Sequence, residues 1–296
     1  MIHRTVLLNQ SIDSLNLKDG AIFFDGTLGG AGHTYKVCSD MGGKVKVVAT
    51  DRDTKAINNA KEKLSGLKCD FYPVLSDYRN IDKVLAGLKI DKVDGILLDL
   101  GLSSDQLDVS GRGFTFKNDE PLLMTFSEEK QDIDAKTILN SWREETIADI
   151  LYGYADERYS RRIAKAIILA REEKIIEKTS DLVEIIRNAV PKGYQRGKIH
   201  FATKTFQALR MAVNDEISAL KEGMNKGFEL LNDGGRMAII SFHSVEDREV
   251  KNYFRDMVKI GRGKLINKKP IVPSEDEISE NPRSRSAKLR VIEKIK

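Results

Sequence analysis

Cysteine is scarce in this chain: Cys38 and Cys69 are the only two among 296 residues. Neither sits in a CxxC or Cys/His grouping, so a disulfide framework and a structural zinc site are both excluded. The two read as core fillers, and no other residues suggest a dedicated metal cluster. Apolar runs are short. None reaches the roughly 18 residues that span a bilayer, and the opening MIHRTVLLNQ lacks the charged, apolar and small-residue regions of a secretory signal. Membrane insertion is therefore excluded and a cytoplasmic location expected. The charges nearly balance, at +4 overall, so the total names no partner. Internal repeats and low-complexity tracts are missing too. What remains is 41% hydrophobic and 32% charged, long enough to bury a core in one large domain or two modest ones.

The most informative stretch is FFDGTLGGAGHT, residues 23 to 34. An apolar strand ends in Asp25, a glycine-rich turn follows, and then a helix starts. Glycines lacking side chains let backbone N–H groups and a helix N-terminus approach a nucleotide-like ligand closely. A dinucleotide site spaces its glycines as GxGxxG and carries an acid about 20 residues on. Here the acid precedes the glycines and the next strand, VKVVATD, ends at Asp51, a pattern that suits S-adenosylmethionine better than a nicotinamide. Strand and helix signals alternate, with strands at 21–25, 45–51, 68–74 and 93–99, which implies a parallel sheet covered on both faces. Asp25, Asp51 and Asp99 all close strands, and open parallel sheets bind ligands beyond those ends. Three carboxylates should share one crevice.

After residue 101 the alternation stops. Helical patterns run near 134–152, 158–174 and 180–190, and no strand pattern interrupts them. From Phe206 the positions Leu209, Val213, Ile217, Leu220, Met224, Phe228 and Leu231 recur at steps of three and four, describing one long amphipathic helix. Then RMAIISF returns to strand composition, SVED starts a helix with Ser244 and Asp247 spaced as a capping box, and AKLRVIEKI supplies a last strand. Residues 1–104 and 201–296 thus form one α/β domain, with 105–200 a helical insertion. Gly261 to Arg285 reads as irregular, basic and mobile. Lys192 to Arg210 holds five Lys or Arg, no acid, and interleaved rings at Tyr194, His200, Phe201 and Phe206. That combination suits single-stranded nucleic acid, while a packed helix face explains the same pattern.

Five blocks, HRTVLL, DGTLGGAGHT, VDGILLDLGLSSDQLD with GRGFTF, HFATKTFQALRMAVNDE, and ISFHSVEDREVK with NPRSRSAKLR, resemble the small-subunit ribosomal RNA methyltransferase H family of the MraW type. The resemblance implies a Rossmann-like class I S-adenosylmethionine-dependent methyltransferase fold with an inserted all-helical substrate-recognition domain. It also implies methylation of the exocyclic N4 amine of a cytidine in the decoding region of 16S rRNA, and a partner that is small-subunit RNA or the 30S particle. Family cofactor contacts fall on Ala31, Gly32 and His33, beside Gly30, and on Asp51, Tyr78, Asp99 and Gln106. Asp51 can accept both ribose hydroxyl protons and Tyr78 can lie against adenine. Asp51 as a helix cap, His33 as a helix-start residue and Tyr78 as core are the plainer alternatives. Two departures stand out. Ala31 replaces a glycine, harmless if φ is negative there, and DEPLLMTF replaces DGPLDMRM, with Leu123 for an acid and Thr125 for an arginine.

Methylating an amine needs an acceptor for its proton. Asp99 is the first candidate, although it could instead contact the cofactor, and Ser103 is the second. An unstacked base needs aromatic partners, for which Phe114, Phe116 and His243 are candidates. Lys204, Arg210, Arg248, Arg283 and Arg285 are candidates for phosphate. A nicotinamide-dependent oxidoreductase and a non-catalytic ribosome-assembly RNA-binding factor are the competing functions. The sequence leaves oligomeric state open, a homodimer included, and also a cation carried in with RNA.

Overall fold

In a computed structural model, described for residues 5–103, 106–107, 110–127 and 132–296, the chain divides into two compact units, Met1–Gly101 with Ile217–Lys296, and Leu102–Glu216. The first unit is built on seven strands: β1 Ile22–Asp25, β2 Lys46–Asp51, β3 Asp70–Leu75, β4 Val93–Asp99, β5 Leu231–Ser241, β6 Gly263–Leu265 and β7 Lys288–Lys294. Their order is β3-β2-β1-β4-β5-β7-β6; β7 pairs antiparallel with both its neighbours and the remaining pairs are parallel. Successive strand residues point to opposite faces, so the sheet feeds two cores. Phe24, Val48, Ile96, Leu98 and Ile239 pack with Leu85, Met224, Phe228 and Phe254. Phe23, Val47, Leu97, Ala238 and Ile240 pack with Ile12, Leu15 and Val37. The mixed α/β class agrees with the sequence reading.

Several local expectations are corrected. The long helix from Phe206 is two helices, Thr203–Asn214 and Glu216–Leu230, broken at Asp215, whose φ of 50° is left-handed. Asp tolerates that conformation, and buried Asn214 ties the break down by donating to Met124 O and accepting from Phe126 N. The unit boundary consequently lies at 216 rather than 200, because Phe206, Ala208, Leu209 and Val213 bury in the helical core. The pattern at 134–152 resolves into Ala135–Ser141 and Glu144–Ala155. Gly261 to Arg285 is not irregular throughout, since it contains β6 and the helix Glu275–Glu280. Cys38 and Cys69 are a disulfide, with Cα atoms 5.2 Å apart, because the helix Gly32–Met41 leans its inner face over the entry to β3.

The helical unit packs Ala135–Ser141, Glu144–Ala155, Ser160–Glu173, Thr179–Ala189 and Thr203–Asn214 around Ile138, Leu151, Ile163, Ile167, Leu182, Ile186 and Leu209. The departing DEPLLMTF segment contributes Leu122 and Met124 to that same core. Among the described residues, no helix is long and apolar enough to cross a membrane.

Candidate active site

The glycine loop is stitched to the strands on both sides of β1. Gly26 N donates to Leu97 O, Leu28 N to Thr50 O, and Thr50 Oγ1 to Gly26 O. Gly29 N donates to Asp51 Oδ2 at 2.8 Å, while Thr27 Oγ1 accepts from Asp99 N at 2.6 Å. The loop therefore spans from the tip of β2 to the tip of β4. It ends at Ala31, the N-cap of the helix Gly32–Met41, with φ of 55°. The condition for a harmless Ala31 is thus not met: a methyl group in left-handed backbone costs about 1 kcal/mol, a strain the chain carries at the mouth of the loop. Gly32 is required for another reason, since a Cβ there would collide with the Thr5 side chain. The first N–H groups of a helix have no partner within it, which suits such a start to an anionic ligand group.

The three strand-end carboxylates come together. Register sets Asp25 opposite Ala49 and Leu97, so Asp51 and Asp99 each stand two residues beyond it, one on either side. Asp25 is 1% exposed, accepts from Thr34 Oγ1 at 2.7 Å and from Thr27 N at 3.2 Å, and burial pushes its pKa up to about 6. Burial also raises Asp51, against the hydrogen bonds it accepts from Asp53 N and Gly29 N. Asp99 rises well above the usual carboxylate range through burial first, then the charges of Asp25 and Glu246. Its Oδ1 is buried with no hydrogen-bond partner among the described residues, and its Oδ2 lies 3.9 Å from Nδ1 of buried His33. Tyr78 opens a short 3₁₀ turn just past β3, the neighbour of β2, and its ring lies where a Cβ on Gly223 would clash.

The MraW methylase family profile matches residues 1–295 of this chain. The chain belongs to the MraW methylase family. Among its relatives, the ribosomal RNA small subunit methyltransferase H of Clostridium botulinum is 44% identical over 99% of both chains. That of Brevibacillus brevis is 41% identical over 99% of this chain and 98% of its own. A solved rRNA methylase from Streptococcus thermophilus is 14% identical, with a TM-score of 0.47, covering 100% of this chain and 99% of that one. The enzyme is a methyltransferase and its methyl donor is S-adenosylmethionine.

The residues present fit that donor at the sheet end. Gly30, Ala31, Gly32 and His33 line the helix start, Asp51 and Tyr78 stand at neighbouring strand ends, and the orphaned Asp99 oxygen offers an acceptor. Gly30 O is itself held by Lys63 Nζ at 2.6 Å. Ser103 and Gln106 belong to the helical unit, where they cap each other: Ser103 N donates to Gln106 Oε1 and Gln106 N to Ser103 Oγ, each at 3.1 Å.

The substrate candidates divide. Phe114 is 7% exposed and stacks on Phe126 within the helical core, so it has no open face for a base. Phe116 stacks on exposed His200 with centroids 4.3 Å apart, and His200 on Phe201 at 4.2 Å. Arg210 is committed to Glu216 in a two-point pair of 2.7 and 2.8 Å rather than to a phosphate. Lys204 Nζ donates to Asp156 O at 2.8 Å. Arg248, Arg283 and Arg285 lie exposed on the first unit. His243, not Ser244, caps the helix Ser244–Lys259, its ring accepting from Glu246 N. Sequence reasoning missed buried Glu246, whose Oε2 accepts from Phe242 N and whose charge reaches Asp99. An acid three residues past His243 was the available signal. The capping-box acid Asp247 instead meets Arg290 and Lys288, which, against the effect of burial, hold its pKa low.

Proposed function

We propose that the enzyme methylates the exocyclic N4 amine of a cytidine in the decoding region of 16S rRNA, with small-subunit RNA or the 30S particle as substrate, in the cytoplasm. The name borne by its relatives supports the target. The observation that carries the chemistry is the buried Oδ1 of Asp99 at the end of β4, unpartnered among the described residues. S-adenosylmethionine, when bound, supplies an activated methyl group. The loop N–H groups hold its amino-acid end, Asp51 accepts from its ribose hydroxyls, and Tyr78 packs on its adenine. Asp99, made more basic by burial and by its acidic neighbours, accepts an N–H of the cytidine amine. That bond favours a pyramidal, nucleophilic nitrogen and then draws off the proton. The helical unit Leu102–Glu216 serves substrate recognition, with half-buried Phe116 as its aromatic candidate for an unpaired base.

The test uses tritiated donor with small ribosomal subunits lacking the modification, and mass spectrometry to find the labelled nucleotide. Label on cytidine N4 is expected, and label on another base overturns the target. Calorimetry with S-adenosylmethionine and with NAD separates methyl transfer from redox chemistry, and binding of NAD alone would end this reading.

A further inference from the structure

The helical unit holds a second, unassigned feature. A cavity of about 300 Å³ is lined by Asp149, Tyr152, Arg158, Tyr159, Arg161 and Arg162. All three arginines are exposed, and among the described residues none is ion-paired. Arg158 is seated on rings instead, with its guanidinium carbon 4.9 Å from the centroids of both Tyr159 and Tyr194; Arg162 lies 5.8 Å from that of Tyr159. Stacking orients the planar fork while leaving its N–H edge unspent, whereas a carboxylate partner would consume both.

The seat is rigidly built. Fully buried Glu157 accepts from Tyr159 N at 2.8 Å and from the Tyr194 hydroxyl at 2.6 Å, fixing both rings that hold Arg158. Arg161 and Arg162 occupy the first turn of the 14-residue helix Ser160–Glu173, which has no acid in that turn and no side-chain cap. Cations at a helix N-terminus oppose its dipole; the Glu157 carboxylate is spent on Tyr159 N and the Tyr194 hydroxyl, and its carbonyl on Ser160 N, so an anion held between the two arginines would relieve their placement. Tyr152, 65% exposed, offers an open ring on the same rim.

We propose that this cavity binds a phosphodiester of single-stranded RNA, with Tyr152 stacking on the adjoining base, as a contact separate from the methylated nucleotide. The inference rests on the RNA-substrate reading above and names a site for it. An acidic peptide would find the arginines equally attractive but would leave the exposed ring without a stacking partner.

Full-length enzyme, wild type and Arg161→Glu/Arg162→Glu, is titrated by fluorescence anisotropy with an oligouridylate of roughly 10 nucleotides across a salt series. The double variant should bind about tenfold more weakly, with a salt slope shallower by about 0.7, the share of the one phosphate no longer neutralised. Its affinity for S-adenosylmethionine should stay unchanged by calorimetry, which also shows that it is folded. Tyr152→Ala, an exposed change with little bearing on folding, should weaken binding about tenfold without altering the slope. Unchanged affinity and slope in the double variant overturn the proposal, as does a polyglutamate peptide that displaces the RNA as well as unlabelled RNA does. Absence of cytidine methylation by wild type, with the oligonucleotide effects intact, would sink the assigned reaction and leave this site standing.

Discussion

The two units treat charge in opposite ways. At the sheet end of the first, carboxylates are withdrawn from water and set near one another: Asp25 is 1% exposed, and Asp99 keeps a buried oxygen with no partner among the described residues. In the helical unit Arg158, Arg161 and Arg162 are exposed cations with no ion pair among the described residues, while the half-buried Arg210 is matched to Glu216. A buried, unmatched carboxylate is costly to keep ionised, and the cost survives only where a ligand or a proton transfer makes use of it. An exposed arginine costs little to keep ionised, even at a helix N-terminus. The first arrangement therefore marks chemistry, and the second marks recognition by field and surface.

The largest test of this contrast is Asp99→Asn, which keeps size and removes the base. Methyl transfer in single turnover should fall about a thousandfold while RNA affinity holds. Donor affinity measured alongside separates the two roles of Asp99, since a parallel loss makes it chiefly a cofactor contact. Activity within a few-fold of wild type would break the comparison, leaving the buried acid without a chemical use. Next comes Asp25. Its pKa, raised by burial to about 6 from 3.8, means that the folded state holds its proton longer than the unfolded state. Its contribution to stability is full below about pH 4, declines as pH rises to about 6 and is then flat, an amplitude of roughly 3 kcal/mol. Urea unfolding of wild type and Asp25→Asn across that range should show a slope in wild type that is reduced in the variant by this amplitude, the share of Asp51 and Asp99 remaining. Asp51→Ala should weaken S-adenosylmethionine by about ten- to a hundredfold, the worth of hydrogen bonds to a charged group, and leave RNA affinity intact. Equal loss of both would make Asp51 structural, as its bonds from Gly29 N and Asp53 N allow.

Much of the sheet end was legible because its signals are local. Apolar runs closing on Asp25, Asp51 and Asp99 state strand, end and polarity together, and the alternation of strands and helices gives their parallel pairing. What stayed hidden depends on contacts between distant residues. The left-handed φ of Ala31 is imposed by a loop tied to Thr50 and Leu97 at once, and an alanine carries no mark of it. The Cys38–Cys69 pair requires knowing that a helix face lies over the start of β3. The break at Asp215 is invisible to periodicity, because the apolar steps run straight across it while Asn214 is anchored to the segment at Met124 and Phe126. Arg158 escaped for the reverse reason: it lies outside the basic run from Lys192 to Arg210, yet Tyr194 from that run supplies half its seat.

The smallest effect sharpens the contrast within the helical unit, between cations that serve the fold and cations left over for RNA. Composition alone places Lys204 with phosphate. In the structure its ammonium donates to the carbonyl of Asp156, which ends the helix Glu144–Ala155 in left-handed backbone with φ of 47°. Carbonyls at a helix end lack partners within the helix, and a cation there both satisfies one and suits the dipole. Lys204→Ala should therefore lower stability by about 0.5 kcal/mol, as expected for an exposed hydrogen bond, and leave the salt slope of RNA binding where it was. That is the opposite balance from Arg161→Glu/Arg162→Glu. A slope reduced by about one unit in Lys204→Ala, with melting unchanged, would return this lysine to the RNA face and erase the division between structural and recognising cations.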